Sequence, residues 1–148
     1  TPVKDEVLKE MLPYFTEKFG NPSSLYDTGL EAKAAVAHAR EQVAALINAD
    51  PKEVFFTAGG TEADNWALFG VCDQLKAKGN HIITTKIEHH AILHSCAFLE
   101  KQGIDVTYVG IDKDGRVNLK ELEDAITDKT ILISVMMVNN EIGTVQPI

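Results

Sequence analysis

From residue 53 onward, short apolar or β-branched runs alternate with segments of helical periodicity. The predicted strands are 53–57, 81–85, 105–109 and 130–138, and helical patterns fill most of the intervals between them. This alternation is typical of a mostly parallel sheet with helices on both faces. We therefore predict an α/β fold of three layers, α-β-α. The run 130–138 is almost continuously apolar, which predicts a strand buried on both faces.

The predicted helices begin and end at recognisable signals. Their approximate ranges are 2–12, 28–48, 61–78, 89–102 and 119–126. Pro13 is expected to end or bend the helix 2–12. Gly79 and Gly103 are expected to terminate the helices 61–78 and 89–102, and Asn118 is expected to cap the start of the helix 119–126. Residues 112–115 form a predicted tight turn.

The composition narrows the class of protein. Hydrophobic residues make up 45% and charged residues 24% of 148 residues, as in ordinary globular domains. The net charge of −8 argues against a nucleic-acid or anionic-membrane binder, and no apolar run is long enough for a membrane helix. Cys72 and Cys96 lie in helical patterns and fit buried thiols of a reducing compartment, so we expect a cytoplasmic protein.

Both ends of the chain suggest a piece of a larger protein. It opens at Thr1-Pro2 without an initiator methionine and stops at Pro147-Ile148, just after a strand and its loop. We therefore expect that part of the chemistry lies outside these residues.

A glycine turn precedes the third helical pattern, in the stretch Thr57-Ala58-Gly59-Gly60-Thr61. A strand followed by such a turn leaves free backbone N–H groups and the positive dipole end of a helix, which suit a phosphate. No Gly-Lys-Ser/Thr follows, so the turn is not a nucleotide P-loop. From spacing alone, a plain strand-to-helix turn with Thr61 as N-cap is the simpler interpretation.

Histidines follow the strand 81–85 in the sequence Glu88-His89-His90. His89 could offer a ring face or exchange a proton near neutral pH, although a histidine pair at a helix start can also serve only local hydrogen bonds. His90 and His94 share a helical face, but two good ligands fall short of the usual four of structural zinc. No metal site is predicted.

A polar loop, 139–143, follows the last predicted strand, and its amides could simply form Asx-turns. Loops 58–61 and 86–90 also follow predicted strands. In parallel sheets, ligands bind beyond the carboxyl ends of the strands. We therefore expect these three loops to form one ligand edge.

Four motifs occur in order along the chain: Gly20-Asn21-Pro22-Ser23-Ser24, Thr57-Ala58-Gly59-Gly60-Thr61-Glu62-Ala63-Asp64-Asn65, Glu88-His89 and Val138-Asn139-Asn140-Glu141-Ile142-Gly143-Thr144-Val145-Gln146-Pro147. Together they resemble the cysteine desulfurases, pyridoxal-phosphate enzymes of the class V aminotransferase group with fold type I. The resemblance covers essentially the whole chain, and the last motif is the most specific. One departure is Tyr26, where the family's Asn-Pro-Ser-Ser loop usually leads to a histidine.

The resemblance implies a role for four residues. Gly60 and Thr61 match residues that hold the phosphate of pyridoxal 5'-phosphate. His89 matches the histidine that stacks on the pyridine ring and can move protons, which makes it the catalytic candidate. Asn140 matches the asparagine that hydrogen-bonds the phenolic oxygen of the cofactor. A donor there would stabilise the phenolate.

The resemblance also implies an activity and partners. The family removes sulfur from L-cysteine, leaving L-alanine and an enzyme persulfide, and passes the sulfur to iron–sulfur scaffolds or other acceptor proteins. Its members are usually homodimers. On this reading residues 1–148 are part of the cofactor-binding large domain, with residues 1–28 as a helix and loop leading into it.

Several elements of the family pattern have no match here. The imine-forming lysine, the persulfide cysteine, the rest of the large domain and the small domain are expected outside the chain, and neither Cys72 nor Cys96 matches the nucleophile. The 148-residue piece alone is therefore expected to be inactive. The alternatives are another class V enzyme, such as a selenocysteine lyase or an aminotransferase, and a folded non-catalytic fragment.

Overall fold

A computed structural model describes residues 1–148, which form two compact units, 1–56 and 57–148. The helices are α1 (Asp5–Met11), α2 (Pro13–Thr16), α3 (Asp27–Leu46), α4 (Gly60–Leu75), α5 (His90–Glu100) and α6 (Leu119–Ala125). The strands are β1 (His81–Thr85), β2 (Asp105–Val109) and β3 (Thr130–Ser134). No helix combines the length and the apolar character needed to cross a bilayer.

The first unit is helical, and the predicted break at Pro13 is confirmed because α1 ends just before it and α2 begins with it. The long helix α3 also agrees with the prediction to within two residues. In the loop before it, the side chain of Asn21 accepts a hydrogen bond from the Ser23 amide at 2.9 Å. Such an Asx-turn fixes the Asn-Pro-Ser-Ser loop locally.

The strand predicted at 53–57 is wrong. Residues Pro51–Glu53 form a 3₁₀ turn that Asp50 caps, and the following backbone is extended at Val54 without pairing to another strand. The carbonyl of Val54 instead accepts a hydrogen bond from Arg40 Nε at 3.0 Å. A strand is stabilised by cross-strand pairs, so an apolar run without a neighbour remains merely extended.

The second unit contains a parallel sheet of order β2-β1-β3, which confirms the predicted sheet type. All five residues of the central strand β1 are buried. Ile82 faces a core built with α4 and α5, whereas Ile83 faces a second core that includes partly buried residues of α6. Helices therefore cover both faces, and the predicted three-layer α-β-α arrangement is confirmed.

The prediction for residues 130–138 is wrong in length and in burial. β3 ends at Ser134, and Ile133 is 42% exposed. The reason is position, since β3 pairs only with β1 and lies at an edge of the three-stranded sheet. Beyond it, Val138 forms an isolated antiparallel bridge with Val145, so the remaining apolar residues belong to a turn back along the chain.

Several other boundaries follow the sequence signals, although α4 ends three residues and α5 two residues before the predicted ends at 78 and 102. Strands β1 and β2 have the predicted bounds, and Asn118 caps α6 by accepting from the Glu121 amide at 3.2 Å. The predicted turn at 112–115 closes with a hydrogen bond from the Gly115 amide to the Asp112 carbonyl at 3.1 Å. These signals act over a few residues, which explains why the sequence reveals them.

Candidate functional site

The glycine turn opens α4 without a side-chain cap. Gly59 is the N-cap residue and Thr61 is already the second residue of the helix, so the interpretation of Thr61 as N-cap is wrong. A Cβ added at Gly59 or Gly60 would meet no heavy atom within 4 Å, which places the turn beside open space. Backbone N–H groups in the first turn of a helix have no intrahelical partner, so this turn can receive an anion.

One carboxylate lies close to the same turn. Glu62 accepts a hydrogen bond from the Ala58 amide at 2.6 Å, which takes that N–H away from any ligand. The negative charge of Glu62 also interacts favourably with the positive, N-terminal end of the helix dipole. A bound anion would therefore rely on the amides nearer Gly60 and Thr61.

His89 is the N-cap of α5, where its Nδ1 accepts a hydrogen bond from the Ala91 amide at 3.1 Å. A ring nitrogen that accepts carries no proton, so the proton of the neutral imidazole lies on Nε2. The side chain is exposed. The cap bond thus holds the ring at the helix start and leaves its faces and Nε2 available.

Thr61 and His89 line one hollow of about 460 Å³, which we call the His89 hollow. Its other lining residues come from α4 and α5: Asn65, Phe69, His90, Ala91, His94, Ser95 and Phe98. Phe69 and Phe98 meet edge to face, with ring centroids 5.7 Å apart, and give it an apolar wall. A second hollow over residues 58–62 shares Thr61 and Asn65 with it and includes Gly60.

Asn65 is the site residue to which the sequence interpretation assigned no role. It lines both hollows, and its Oδ1 is hydrogen-bonded to the hydroxyl of the buried Ser95 on α5. The pair ties the helix of the glycine turn to the helix that His89 caps. A signal was present, because Thr61, Asn65 and Phe69 recur at four-residue spacing on one helix face.

Asn140 does not line either of these two hollows. Its side chain is exposed and donates to Glu141 Oε1 at 2.9 Å. The neighbouring Asn139 is buried, and its Oδ1 accepts from the amides of Glu141 and Ile142 at 2.9 and 3.0 Å. The Asx-turn interpretation of this loop is therefore confirmed for Asn139.

The loop after β1 nevertheless contacts the segment after β3. Glu88 Oε1 accepts from the Met136 amide at 2.7 Å, and Asn139 Nδ2 donates to the Ile87 carbonyl at 3.0 Å. Burial raises the pKa of the Glu88 carboxyl, and the two hydrogen bonds from Met136 and Thr85 offset part of that rise. Glu88 precedes His89 and Asn139 precedes Asn140, so the two loops that carry these candidates are joined.

The two histidines considered as metal ligands and the two cysteines considered as nucleophiles show neither role in the structure. The rings of His90 and His94 stack with centroids 5.1 Å apart, and no set of three or more His, Cys, Asp or Glu residues in 1–148 could hold a metal ion. Cys72 and Cys96 are free and buried, and burial raises the pKa of Cys96 to about 11. A thiol with so high a pKa is protonated near neutral pH and is a poor nucleophile.

Comparison with known sequences gives one consistent family. The Aminotransferase class-V family matches residues 1–148. Cysteine desulfurase IscS of Clostridium botulinum (strain Kyoto / Type A2) is 61% identical over the whole chain, and the protein of that name from Methanosarcina thermophila is 56% identical. In both cases the chain spans 37% of the relative's length.

Solved structures agree with the sequence comparison. A NifS-like protein superposes with a TM-score of 0.95 at 44% identity, covering 99% of this chain and 40% of that one. A structure described as SspA in complex with cysteine gives 0.92 at 40% identity, with 99% and 42% covered. DndA from Streptomyces lividans gives 0.89 at 36% identity, with 98% and 41% covered.

Proposed function

Because the chain belongs to the aminotransferase class-V family, we propose that it is part of the cofactor domain of a cysteine desulfurase that uses pyridoxal 5'-phosphate. Residues 1–148 would supply a portion of the large domain, with residues 1–28 leading into it. The observation that carries the proposal is the hollow that Thr61 and His89 line together, with the open glycine turn beside it.

The donors at this site suit a phosphorylated ring. The uncapped first turn of α4 offers the amides of Gly60 and Thr61 to a phosphate, and the Thr61 hydroxyl adds a donor. His89 offers a flat ring to a planar partner. Asn140 lines neither hollow, and its amide, which here donates to Glu141, would have to turn to donate to an anionic oxygen of the cofactor. When bound, pyridoxal phosphate supplies an electron sink for chemistry at the α-carbon of an amino acid.

The proposed reaction is balanced between L-cysteine and a protein thiol. The carbon–sulfur bond of the substrate breaks and its β-carbon gains hydrogen, giving L-alanine, while the substrate sulfur forms an S–S bond with the protein sulfur as a persulfide. The attacking thiol must be accessible as a thiolate, which Cys72 and Cys96 are not because both are buried. We therefore assign the attacking cysteine and the cofactor-bearing lysine to the part of the protein outside this chain.

His89 is proposed to move a proton through Nε2. Its Nδ1 is engaged with the Ala91 amide, so Nε2 is the nitrogen left to exchange a proton with a substrate or cofactor atom. The same cap bond keeps the ring from rotating freely. His89 is thus both a ring-stacking and a proton-transfer candidate.

Three further features belong to the same proposal. The sulfur would pass to an iron–sulfur scaffold or another acceptor protein, the whole enzyme would be a homodimer, and it would work in the cytoplasm. Two free, buried cysteines agree with a reducing compartment.

The direct test uses the full-length protein that contains this chain. Loaded with pyridoxal phosphate and given L-cysteine, it should release L-alanine and, with a reductant, sulfide in equal amounts. A folded, cofactor-loaded protein that forms neither product would refute the proposal. Turnover of L-selenocysteine alone, or amino transfer to a keto acid, would instead assign it to a different class V activity.

Two substitutions at His89 separate the ring from the cap. Asparagine is a good N-cap but has no aromatic ring, whereas alanine has neither feature. We expect both His89→Asn and His89→Ala to shift the visible absorbance of the bound cofactor and to lower turnover at least a hundredfold, the usual scale for a proton-transfer residue. Wild-type absorbance and turnover in His89→Asn would show that only the cap matters.

A further inference from the structure

Two hydrogen bonds join the loop after β1 to the segment after β3. Each segment contributes one side chain, and in both bonds the donor lies in the segment after β3. Glu88, from the first loop, accepts from the backbone amide of Met136 at 2.7 Å. Asn139, from the second, donates to the backbone carbonyl of Ile87 at 3.0 Å. We call this pair of hydrogen bonds the Glu88–Asn139 clasp.

Both clasp side chains are buried, with Glu88 8% and Asn139 6% exposed, whereas the adjacent His89 and Asn140 are exposed. A buried group held by backbone hydrogen bonds has little freedom, and an exposed loop side chain has much more. We propose that Glu88 and Asn139 are positioning residues that set the relative placement of His89 and Asn140, which rests on the function proposed above.

The contacts of Glu88 favour a positioning role over a charge-pairing one. No lysine, arginine or histidine forms an ion pair with it, and Oε1 receives both of its hydrogen bonds, from Met136 and from Thr85 at 3.1 Å. Both require only an acceptor oxygen. A glutamine can provide that acceptor without a charge.

Asn139 has two separable tasks. Its Oδ1 accepts from the Glu141 and Ile142 amides and shapes the 139–143 loop, whereas its Nδ2 donates to Ile87 in the clasp. An aspartate keeps the acceptor oxygens and loses the donor. Asn139→Asp therefore removes the clasp bond while retaining the local turn.

The experiment uses the full-length protein with Glu88→Gln, Glu88→Ala, Asn139→Asp and the double variant Glu88→Ala/Asn139→Asp. Glu123→Gln, on an exposed face of α6, is the matched control. The first readout is hydrogen exchange at the Met136 amide without cofactor. The second is the dissociation constant for pyridoxal phosphate together with the visible absorbance of the bound form.

We expect Glu88→Gln and Glu123→Gln to match wild type in exchange at the Met136 amide and in pyridoxal phosphate affinity. Glu88→Ala and Asn139→Asp should each speed exchange at Met136 and weaken pyridoxal phosphate binding about tenfold, the effect of one lost hydrogen bond. The double variant should be little worse than either single variant, because one broken bond already frees the two segments.

Three results would overturn the inference. The first is a loss of pyridoxal phosphate affinity in Glu88→Gln as large as that in Glu88→Ala. The second is a loss of affinity in the double variant equal to the sum of the two single losses. The third is faster exchange at the Met136 amide with unchanged cofactor affinity. If Glu88→Ala does not fold, Glu88→Gln and Asn139→Asp decide the question between them. A wild-type protein that binds no pyridoxal phosphate would refute the proposed function, and Met136 exchange would still show whether the clasp holds the two loops.

Discussion

Gln146 belongs to the most specific sequence motif, yet in the structure it makes only internal contacts. Its Oε1 accepts from the Val117 amide at 2.8 Å, and its Nε2 donates to the Gly115 carbonyl at 2.8 Å. The side chain is 5% exposed. It therefore pairs two backbone groups at the end of the 112–115 turn that have no other hydrogen-bond partner.

The substitution Gln146→Ala should lower the free energy of unfolding by about 2–4 kcal/mol. Each buried backbone group left without a partner costs roughly 1–3 kcal/mol, and water entering the vacated space reduces the sum. Gln146→Glu keeps the acceptor for Val117 but turns a carboxylate oxygen toward the Gly115 carbonyl. It should therefore lose nearly as much stability while keeping more protection of the Val117 amide.

Urea unfolding followed by circular dichroism gives the free energies, and hydrogen exchange reports on the Val117 amide. Gln74→Ala deletes the same atoms from an exposed position on α4 and should change stability by less than about 0.5 kcal/mol. If Gln146→Ala stayed within that margin and left Val117 exchange unchanged, the reasoning from these two hydrogen bonds would be refuted.

Three further predictions concern a buried thiol, a buried carboxyl and a glycine that lies close to another backbone segment. The thiol of Cys96, with its pKa raised to about 11, should resist a thiol reagent at pH 8 in the folded protein and react only when urea exposes it, whereas prompt reaction under native conditions would contradict the burial. Because burial raises the pKa of Glu88 in the folded protein above its usual 4.5, the folded state binds this proton more tightly than the unfolded state does. The free energy of unfolding therefore falls as pH rises from 4.5 through the higher pKa of the folded state. Urea unfolding at several pH values should therefore show the stability of wild type falling relative to that of Glu88→Gln as pH rises above 4.5, and a constant difference would count against it. A Cβ at Gly79 would clash with the Lys129 carbonyl oxygen, so Gly79→Ala should lower the melting temperature by several degrees. Gly70→Ala should not, because the nearest atom to a Cβ there is Trp66 Cδ1 at 3.9 Å, an ordinary van der Waals distance.

Local signals in the sequence determined the elements whose structure depends on a few neighbouring residues. The break at Pro13, the cap at Asn118 and the bounds of β1 and β2 each follow from such signals, as does the alternation that predicts a parallel sheet. The motifs likewise identified the family, and they singled out Thr61 and His89, which line a common hollow.

Only the tertiary structure decided which apolar run is buried and which polar residues meet. The run at 130–138 is more apolar than β1, yet β1 is the buried strand because it lies between two others. Asn65 reaches Ser95 and Glu88 reaches Met136 only because chain packing brings distant segments together. Periodicity along the chain reports the faces of single elements, whereas strand order and contacts between loops depend on how separate elements pack.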